Sequence, residues 1–179
     1  IAVTVTNVNE APVITSGAAV SAAENQTAVT TVTSSDVDGG VPIYSISGGA
    51  DAARFTIDAS TGVLTFVAAP NYEAPTDAGG NNVYDVTVQV SDGAGGTDTQ
   101  AIAVTVTPVN DNTPVITSNG GGATATANVA ENQTTVTTVT ATDADLPAQT
   151  IMYSIVGGAD AALFTINAST GALQFFISG

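Results

Sequence analysis

The stretch YSISGGADAARFTIDASTGVLTF, residues 44–66, occurs a second time as YSIVGGADAALFTINASTGALQF, residues 153–175. Three shorter segments also recur in the same order: PVITS at 12–16 and 114–118, AENQT at 23–27 and 130–134, and IAVTVT at 1–6 and 102–107. Because the copies keep their order, the chain contains a tandem repeat of roughly 100 residues.

The repeat divides the chain into three predicted parts. Residues 1–11 match the end of a preceding repeat and its linker. Residues 12–113 form one complete repeat with its exit linker, and residues 114–179 match the first two-thirds of another, strands A to E only. We expect a fragment of a longer array, with a strand-donating subunit as the alternative.

Every part of the repeat has the pattern of β-strand. AVTTVTSS and YDVTVQVSD alternate with a period of two and are rich in Val and Thr, while FTIDASTGVLTF is typical of a hairpin with Thr61 and Gly62 at its turn. About seven short strands in each repeat predict an all-β fold of tandem antiparallel sandwiches of immunoglobulin-like type. The predicted strands are roughly 13–22, 28–34, 42–47, 54–57, 62–67, 83–91 and 97–107.

The composition excludes several classes of function. The chain has no Cys, no His and one basic residue, Arg54, against 16 acids, so its formal charge is −15. Such a surface repels nucleic acid and anionic membranes, and no segment approaches the ~20 apolar residues of a membrane span. The side chains available for catalysis are carboxylates and hydroxyls alone, and we therefore predict that the chain is not an enzyme.

Oxygen-bearing side chains follow the predicted strands and divide between the two ends of the sandwich. We name the end that carries residues 1–11 the leading end and the end that carries the 108–112 linker the trailing end. The trailing end is expected to hold Glu24, Asn71, Glu73 and the linker, and the leading end Asp36, Asp38 and Asp92. Converging carboxylates repel one another, and a hard cation that takes six to eight oxygens removes that penalty. This donor set indicates Ca²⁺, because Zn²⁺ and Cu²⁺ sites normally recruit His or Cys.

The order of motifs resembles that of cadherin repeats. It consists of Glu in AEN, the DxD of SSDVD and ATDAD, then YSI…FTI…STG, NYE, SDGAGG and VNDNTP. The chain looks most similar to the bacterial cadherin-like repeats of large secreted adhesins, given its Thr, Val, Gly and Asp bias. The resemblance implies cadherin-type Greek-key sandwiches joined by calcium-binding linkers, in a secreted or bacterial cell-surface protein.

The resemblance also implies which residues bind calcium. At the junction between the two repeats these are Glu24, Glu73, Asn110, Asp111, the backbone of Asn112, Asp143 and Asp145; at the N-terminal junction they are Asn9, Glu10, Asp36, Asp38 and Asp92. Two positions depart from the family pattern, since Asn71 and Pro108 each replace an Asp. We therefore expect one to three ions at the junction between the repeats, with two as the expected number.

The function implied is that of an extracellular spacer or adhesion repeat made rigid by calcium. Its expected partners are neighbouring repeats of the same or an identical chain, with polysaccharide or a cell-surface ligand as further candidates. The alternatives are a module that binds polysaccharide or a like repeat, and a filament subunit. In the last case residues 1–6, identical to 102–107, are donated as a strand to another copy.

Overall fold

The protein is described by a computed structural model that covers residues 1–176, so the last three residues of the predicted second repeat, 177–179, lie outside the described residues. The chain forms two compact units, residues 1–109 and residues 110–179. No helix between residues 1 and 176 is both long and apolar enough to cross a membrane.

The first unit is a sandwich of two β-sheets. One sheet has four strands in the order β2-β9-β8-β5, the other has three in the order β3-β7-β6, and β1 pairs with β4 beside them. The prediction of an all-β sandwich is confirmed. The elements are β1 Val13–Ile14, β2 Ala19–Ala23, β3 Ala28–Thr31, β4 Ser34–Ser35, β5 Ile43–Gly48, a 3-10 turn at Ala52–Arg54, β6 Phe55–Ile57, β7 Val63–Phe66, β8 Val83–Ser91 and β9 Thr97–Thr107.

The core lies between the two sheets and follows from the period of two in the sequence. Alternate residues of β8 and β9 are buried, among them Tyr84 and Val104 at 1% and 0% exposure. They face Leu64 and Phe66 of the other sheet, and the Phe66 and Tyr84 rings meet edge to face with centroids 5.2 Å apart. Each such buried side chain contributes about 1.5–3 kcal/mol of hydrophobic stabilisation.

The predicted strand 13–22 is wrong as a single strand. It is interrupted after β1, and β2 then pairs with β9 in parallel, whereas the other pairs of the sandwich are antiparallel as expected. The break coincides with Ser16 and Gly17, where the Gln100 side-chain amide donates to the Ser16 carbonyl at 3.0 Å. The Ser16 carbonyl is therefore bonded to a side chain, whereas in a continuous strand it would bond to the neighbouring strand. At this point the chain passes from the pairing with β4 to the pairing with β9.

The predicted strand 28–34 is likewise two strands on different partners. β3 pairs with β7 and β4 pairs with β1, and the β3–β7 register shifts between Ala28 and Thr30. Between the two strands, the buried Val32 donates its backbone N–H to the Gly62 carbonyl at 2.8 Å. A bulge of this kind bends the strand, which explains why its two halves reach different partners.

A carboxylate and a glycine shape the turn of the β6–β7 hairpin. Asp58 Oδ1 accepts hydrogen bonds from the Ser60 and Thr61 backbone amides at 3.0 and 2.8 Å and from the Ser60 hydroxyl at 2.7 Å. These bonds, the Ser60 hydroxyl first, lower the Asp58 pKa from 3.8 to about 2. Gly62 then adopts a φ of 71°, which lies in the left-handed region that glycine tolerates best.

The Asp58 turn predicts a difference in acid stability. Because its pKa is lowered on folding, Asp58 contributes stability that is present above the ordinary value and is lost as the pH falls towards about 2. Asp58→Asn keeps the acceptor oxygen and cannot titrate, and Asn167 of the second unit already makes the same backbone bonds. Urea unfolding at a series of acidic pH values should show that the free energy of unfolding decreases less for the variant than for the wild type as the pH falls. Parallel pH profiles would contradict this assignment.

The second unit contains a smaller set of strands within residues 110–176. Two sheets form, β10 with β12 and β11-β14-β13. The elements are β10 Val115–Ile116, 3-10 turns at Ser118–Gly120 and Ala161–Leu163, β11 Thr135–Thr138, β12 Ala141–Thr142, β13 Phe164–Ile166 and β14 Ala172–Phe175.

Residues 151–156 are the second-repeat counterpart of the predicted strand 42–47, and they do not form a strand in the described structure. Tyr153 still donates its backbone N–H to Ala168 at 2.9 Å, as Tyr44 donates to Ala59 in the first unit. The first-unit segment is strand β5 because it pairs with β8, and no strand among the described residues lies beside 151–156 in that way. Side-chain packing alone therefore does not create the strand, which requires a neighbouring backbone.

The second unit consequently leaves apolar side chains accessible. Val156 and Met152 are 97% and 66% exposed, and a cavity of about 450 Å³ opens beside them. Its lining includes Tyr153, Ile166 and Leu173, whose first-unit counterparts belong to the core or pack against it.

Candidate metal centres

Glu24 is the most deeply buried acid at the trailing end of the first unit. It directly follows β2 and is 2% exposed. Its two carboxylate oxygens accept hydrogen bonds from the backbone amides of Val109 and Tyr72, each at 2.7 Å. One side chain thus fixes both the beginning of the linker and the loop that carries Asn71 and Glu73.

Glu73 lies close to Glu24. Each offers a carboxylate oxygen, and the two oxygens lie within 4.8 Å of one another. Like charges at this separation repel, and a bound cation converts the repulsion into attraction. Asn71 behaves differently, because its side-chain oxygen accepts a hydrogen bond from the Ala74 amide at 2.8 Å and closes a local turn.

In the second unit, Asp145 organises the residues after Val109. It is 1% exposed, and its Oδ1 accepts from the Asn112 side chain at 2.8 Å, the Asn112 backbone at 3.0 Å and the Asp111 backbone at 3.3 Å. Its own N–H donates to Asp143 Oδ1 at 3.1 Å. The Asn112 side chain, followed by the backbone amides, holds the Asp145 pKa below its usual range, so this carboxylate is ionised at neutral pH.

Gln149, which was not among the predicted residues, completes this arrangement. Its side-chain oxygen accepts from Asn110 Nδ2 at 2.7 Å, and its Nε2 donates to Asp145 Oδ2 at 3.3 Å. Gln149 lies in the segment LPAQT, where the second repeat is longer than the first. That difference in length, directly after a DxD motif, is the signal in the sequence that points to it.

At the leading end of the first unit, Asp38 holds the N-terminal linker. Its carboxylate accepts from the Glu10 backbone amide at 2.6 Å and from the Asn7 side chain, and Asp36 Oδ1 accepts from the Asp38 amide at 2.8 Å. The Glu10 amide and the Asn7 side chain lower the Asp38 pKa, whereas the hydrogen bond and charge of Asp38 raise that of Glu10. Asn7 was not among the predicted residues.

Asp92 faces the same linker from the turn between β8 and β9. Its carboxylate accepts from Asn9 Nδ2 at 2.7 Å and from the amides of Ala94 and Gly96 at 2.7 and 2.9 Å, bonds that lower its pKa. Asp92 and Asp36 also line a shared cavity of about 90 Å³. The structure therefore brings the five predicted residues of the leading end into one region.

The donor chemistry of both ends fits calcium. The leading end presents carboxylates and side-chain amides, and the trailing end of the first unit presents the Glu24–Glu73 pair. The remaining predicted residues, Asn110, Asp111, Asn112, Asp143 and Asp145, lie in the second unit, where the hydrogen bonds to Asp145 connect most of them. Oxygen ligands with several negative charges are what Ca²⁺ prefers.

Comparison with known proteins identifies the repeats. A family model described as the cadherin domain matches residues 18–107 and 125–176. Human protocadherin Fat 1 is 30% identical over 145 residues, which cover 79% of this chain and 3% of that protein. The crystal structure of human protocadherin-24 EC1-2 has a TM-score of 0.74 at 25% identity, over 96% of this chain and 79% of that one. The cis-dimer structure of protocadherin gammaB7 EC3-6 has a TM-score of 0.69 at 25% identity, over 92% of this chain and 42% of that one.

The matches support the predicted family and not the predicted bacterial subgroup. The chain spans 3% of the length of the curated relatives it matches, and those relatives are animal protocadherins. The family match falls on both repeats and covers most of the sequence. The chain therefore belongs to the cadherin domain family.

Proposed function

We propose that this chain is a pair of extracellular adhesion repeats whose linkers are ordered by calcium. The observation that carries the proposal is Glu24, a buried carboxylate that holds the backbone of Val109 at 2.7 Å, while an oxygen of Glu73 lies within 4.8 Å of it. The linker is thereby attached to a negatively charged site. Asp111 follows Val109 by two residues, so a third carboxylate is supplied from the linker itself.

Calcium would supply charge neutralisation that no side chain of this region offers. At the junction between the repeats, the proposed ligands are Glu24, Glu73, Asn110, Asp111, the backbone of Asn112, Asp143 and Asp145; at the N-terminal junction they are Asn9, Glu10, Asp36, Asp38 and Asp92. With calcium bound, mutual repulsion of the carboxylates is removed and the linker loses freedom, as a rigid spacer requires.

Two ions are the proposed occupancy of the junction between the repeats. Pro108 stands where the resemblance expects an acid and has no carboxylate to offer. Asn71 is neutral, and its oxygen is occupied by the Ala74 amide. Fewer negative ligands support fewer divalent ions.

The proposed partners are neighbouring repeats of the same chain or of an identical one. A structural relative, protocadherin gammaB7 EC3-6, is described as a cis-dimer, which supports association between such repeats. Polysaccharide recognition receives less support, because the aromatic side chains Phe55, Phe66 and Tyr84 are buried in the core. No catalytic role is proposed for any residue.

The finer setting, a large bacterial surface adhesin, rests on composition. The chain is rich in Thr, Val, Gly and Asp and has no Cys and no Lys. A cysteine-free acidic repeat is compatible with an oxidising exterior, since it depends on no disulfide or thiol. This setting remains a prediction.

Isothermal titration calorimetry with Ca²⁺ tests the calcium proposal. Extracellular calcium modules bind with a Kd of roughly 10⁻⁴–10⁻³ M, and wild-type protein should titrate in that range. Asp111→Asn should weaken binding at least several-fold. Asp85→Asn is the matched control, because it removes the same charge from an exposed position in strand β8, outside both ligand sets. Equal binding isotherms for the two variants would contradict the assignment.

A further inference from the structure

Glu73, one of the proposed calcium ligands, lies in a long loop of the first unit. Strand β7 ends at Phe66 and β8 begins at Val83, and residues 67–82 between them contain no helix or strand. A connection of this length is uncommon in a compact domain, and it places a side chain accurately only where other groups fix its backbone. The position of the Glu73 carboxylate therefore depends on what holds this loop.

Asn82, the last residue of the loop, is bonded to the backbone beside Glu73. Its Nδ2 donates to the carbonyl oxygen of Tyr72 at 2.9 Å, and Tyr72 directly precedes Glu73. The Asn82 carbonyl accepts from the Val106 N–H of strand β9 at 2.8 Å. Asn82 has a φ of 62°, in the left-handed region that Asn adopts more readily than most side chains. The backbone next to Glu73 is thus attached to a strand through one residue.

Two buried carboxylates hold the second half of the loop, and neither is a proposed calcium ligand. Asp77 is 7% exposed, and its Oδ1 and Oδ2 accept from the backbone N–H groups of Asn82 and Asn81, each at 3.0 Å. Asp51 is 5% exposed, and its Oδ1 accepts from the Ala78 N–H at 2.7 Å. Burial of a carboxylate is costly unless it is hydrogen-bonded, so these bonds satisfy the two acids and fix the loop together.

We propose that Asp77 and Asn82 are positioning residues for Glu73: they fix the backbone beside it, and calcium binding at the trailing end is tighter for that reason. The inference rests on the proposed calcium function, because it concerns a ligand of that site. The N–H of Tyr72 donates to Glu24 at 2.7 Å and its carbonyl accepts from Asn82, so both of its backbone groups are fixed. A ligand that is already in place needs no ordering when the ion binds, whereas a free loop loses conformational entropy.

Calcium titration of Asn82→Gly tests the positioning role. Glycine tolerates the left-handed backbone and keeps the N–H that bonds Asp77, so the variant removes the side-chain bond to Tyr72 and no charge. Isothermal titration calorimetry, at a temperature where circular dichroism shows the variant folded, should give an affinity for Ca²⁺ at least several-fold weaker than that of wild type. Asn119→Gly is the matched control, because it makes the same substitution at a φ of 50° in the second unit, outside both ligand sets. It should bind calcium like wild type.

A double-mutant cycle with Glu73→Gln separates positioning from a general loss of stability. If Asn82 acts through Glu73, Asn82→Gly should weaken calcium binding clearly less once Glu73 is replaced, because the positioned charge is gone. Asp77→Asn should also weaken binding, and by more than Asp85→Asn, which removes the same charge from an exposed position of β8.

Amide hydrogen exchange in chelator gives a readout that does not depend on the ion. Residues 70–76 should exchange faster in Asn82→Gly than in wild type or in Asn119→Gly. A wild type that binds no calcium would overturn the calcium proposal and, with it, this role of Glu73. A wild type that binds calcium would leave that proposal standing, and the positioning role alone would be overturned by equal affinity of Asn82→Gly, by unchanged exchange, or by additive effects in the cycle.

Discussion

Chelation of calcium is expected to lower the melting temperature of this protein by several degrees. Carboxylates such as Glu24 and Glu73 are held close together by the fold, and the unfolded chain separates them. An ion that binds only the folded state stabilises it by about 2.7 kcal/mol when its concentration is 100 times Kd. Differential scanning calorimetry with calcium at about 100 times its Kd, and after exhaustive chelation, measures the shift.

The matched variant is Glu24→Gln. It keeps an oxygen that accepts one of the two backbone hydrogen bonds at this buried position, and it removes one negative ligand. In chelator, the difference in melting temperature between the variant and the wild type measures how much the Glu24 side chain stabilises the fold without calcium. The increase in the variant's melting temperature on adding calcium then measures how much stabilisation the ion still gives without this ligand. That shift should be clearly smaller than in wild type. An unchanged melting curve for wild-type protein after chelation would show that calcium does not stabilise the fold.

The second large effect is expected for Gly62→Ala. Gly62 has a φ of 71°, and a Cβ built there would lie 2.2 Å from the Val32 carbonyl oxygen. That backbone oxygen has little freedom, because Val32 is 1% exposed and its own N–H is bonded to Gly62. The left-handed conformation costs a non-glycine residue about 1–2 kcal/mol, and overpacking adds about 1–3 kcal/mol. Urea denaturation should show a loss of about 2–5 kcal/mol.

Gly80→Ala separates the two contributions to that loss. Gly80 has a φ of 62°, and a Cβ there would meet nothing within 4 Å. The control therefore carries the conformational cost alone, about 1–2 kcal/mol. If both variants lose the same stability, the close approach between the hairpin turn and Val32 has no energetic importance.

The sequence by itself determined the repeat and the strands of the long hairpins. The β8 and β9 segments were predicted with the bounds that the structure has, because strict alternation of apolar and polar residues commits each side chain to one face. The oxygen-bearing positions were also readable, since Glu24, Asp38, Asp92 and Asp111 stand in short motifs directly after strands. The local sequence pattern was therefore sufficient to predict strands and acidic motifs whose conformation depends mainly on their own residues.

Only the tertiary structure decided the pairing of strands and the hydrogen bonds of the acids. The sequence around Ser16 gives no sign that β2 pairs in parallel with β9, because strand direction depends on which backbone lies alongside. Asn7 is neutral and belongs to no motif, and it is recognisable only by the carboxylate that it contacts; Gln149 lies in a lengthened segment, but its role becomes clear only from its hydrogen bond to Asp145. Residues 151–156 match strand β5 in pattern, and without a strand beside them in residues 110–176 they do not form one, because a β-strand is stabilised by bonds to a neighbour.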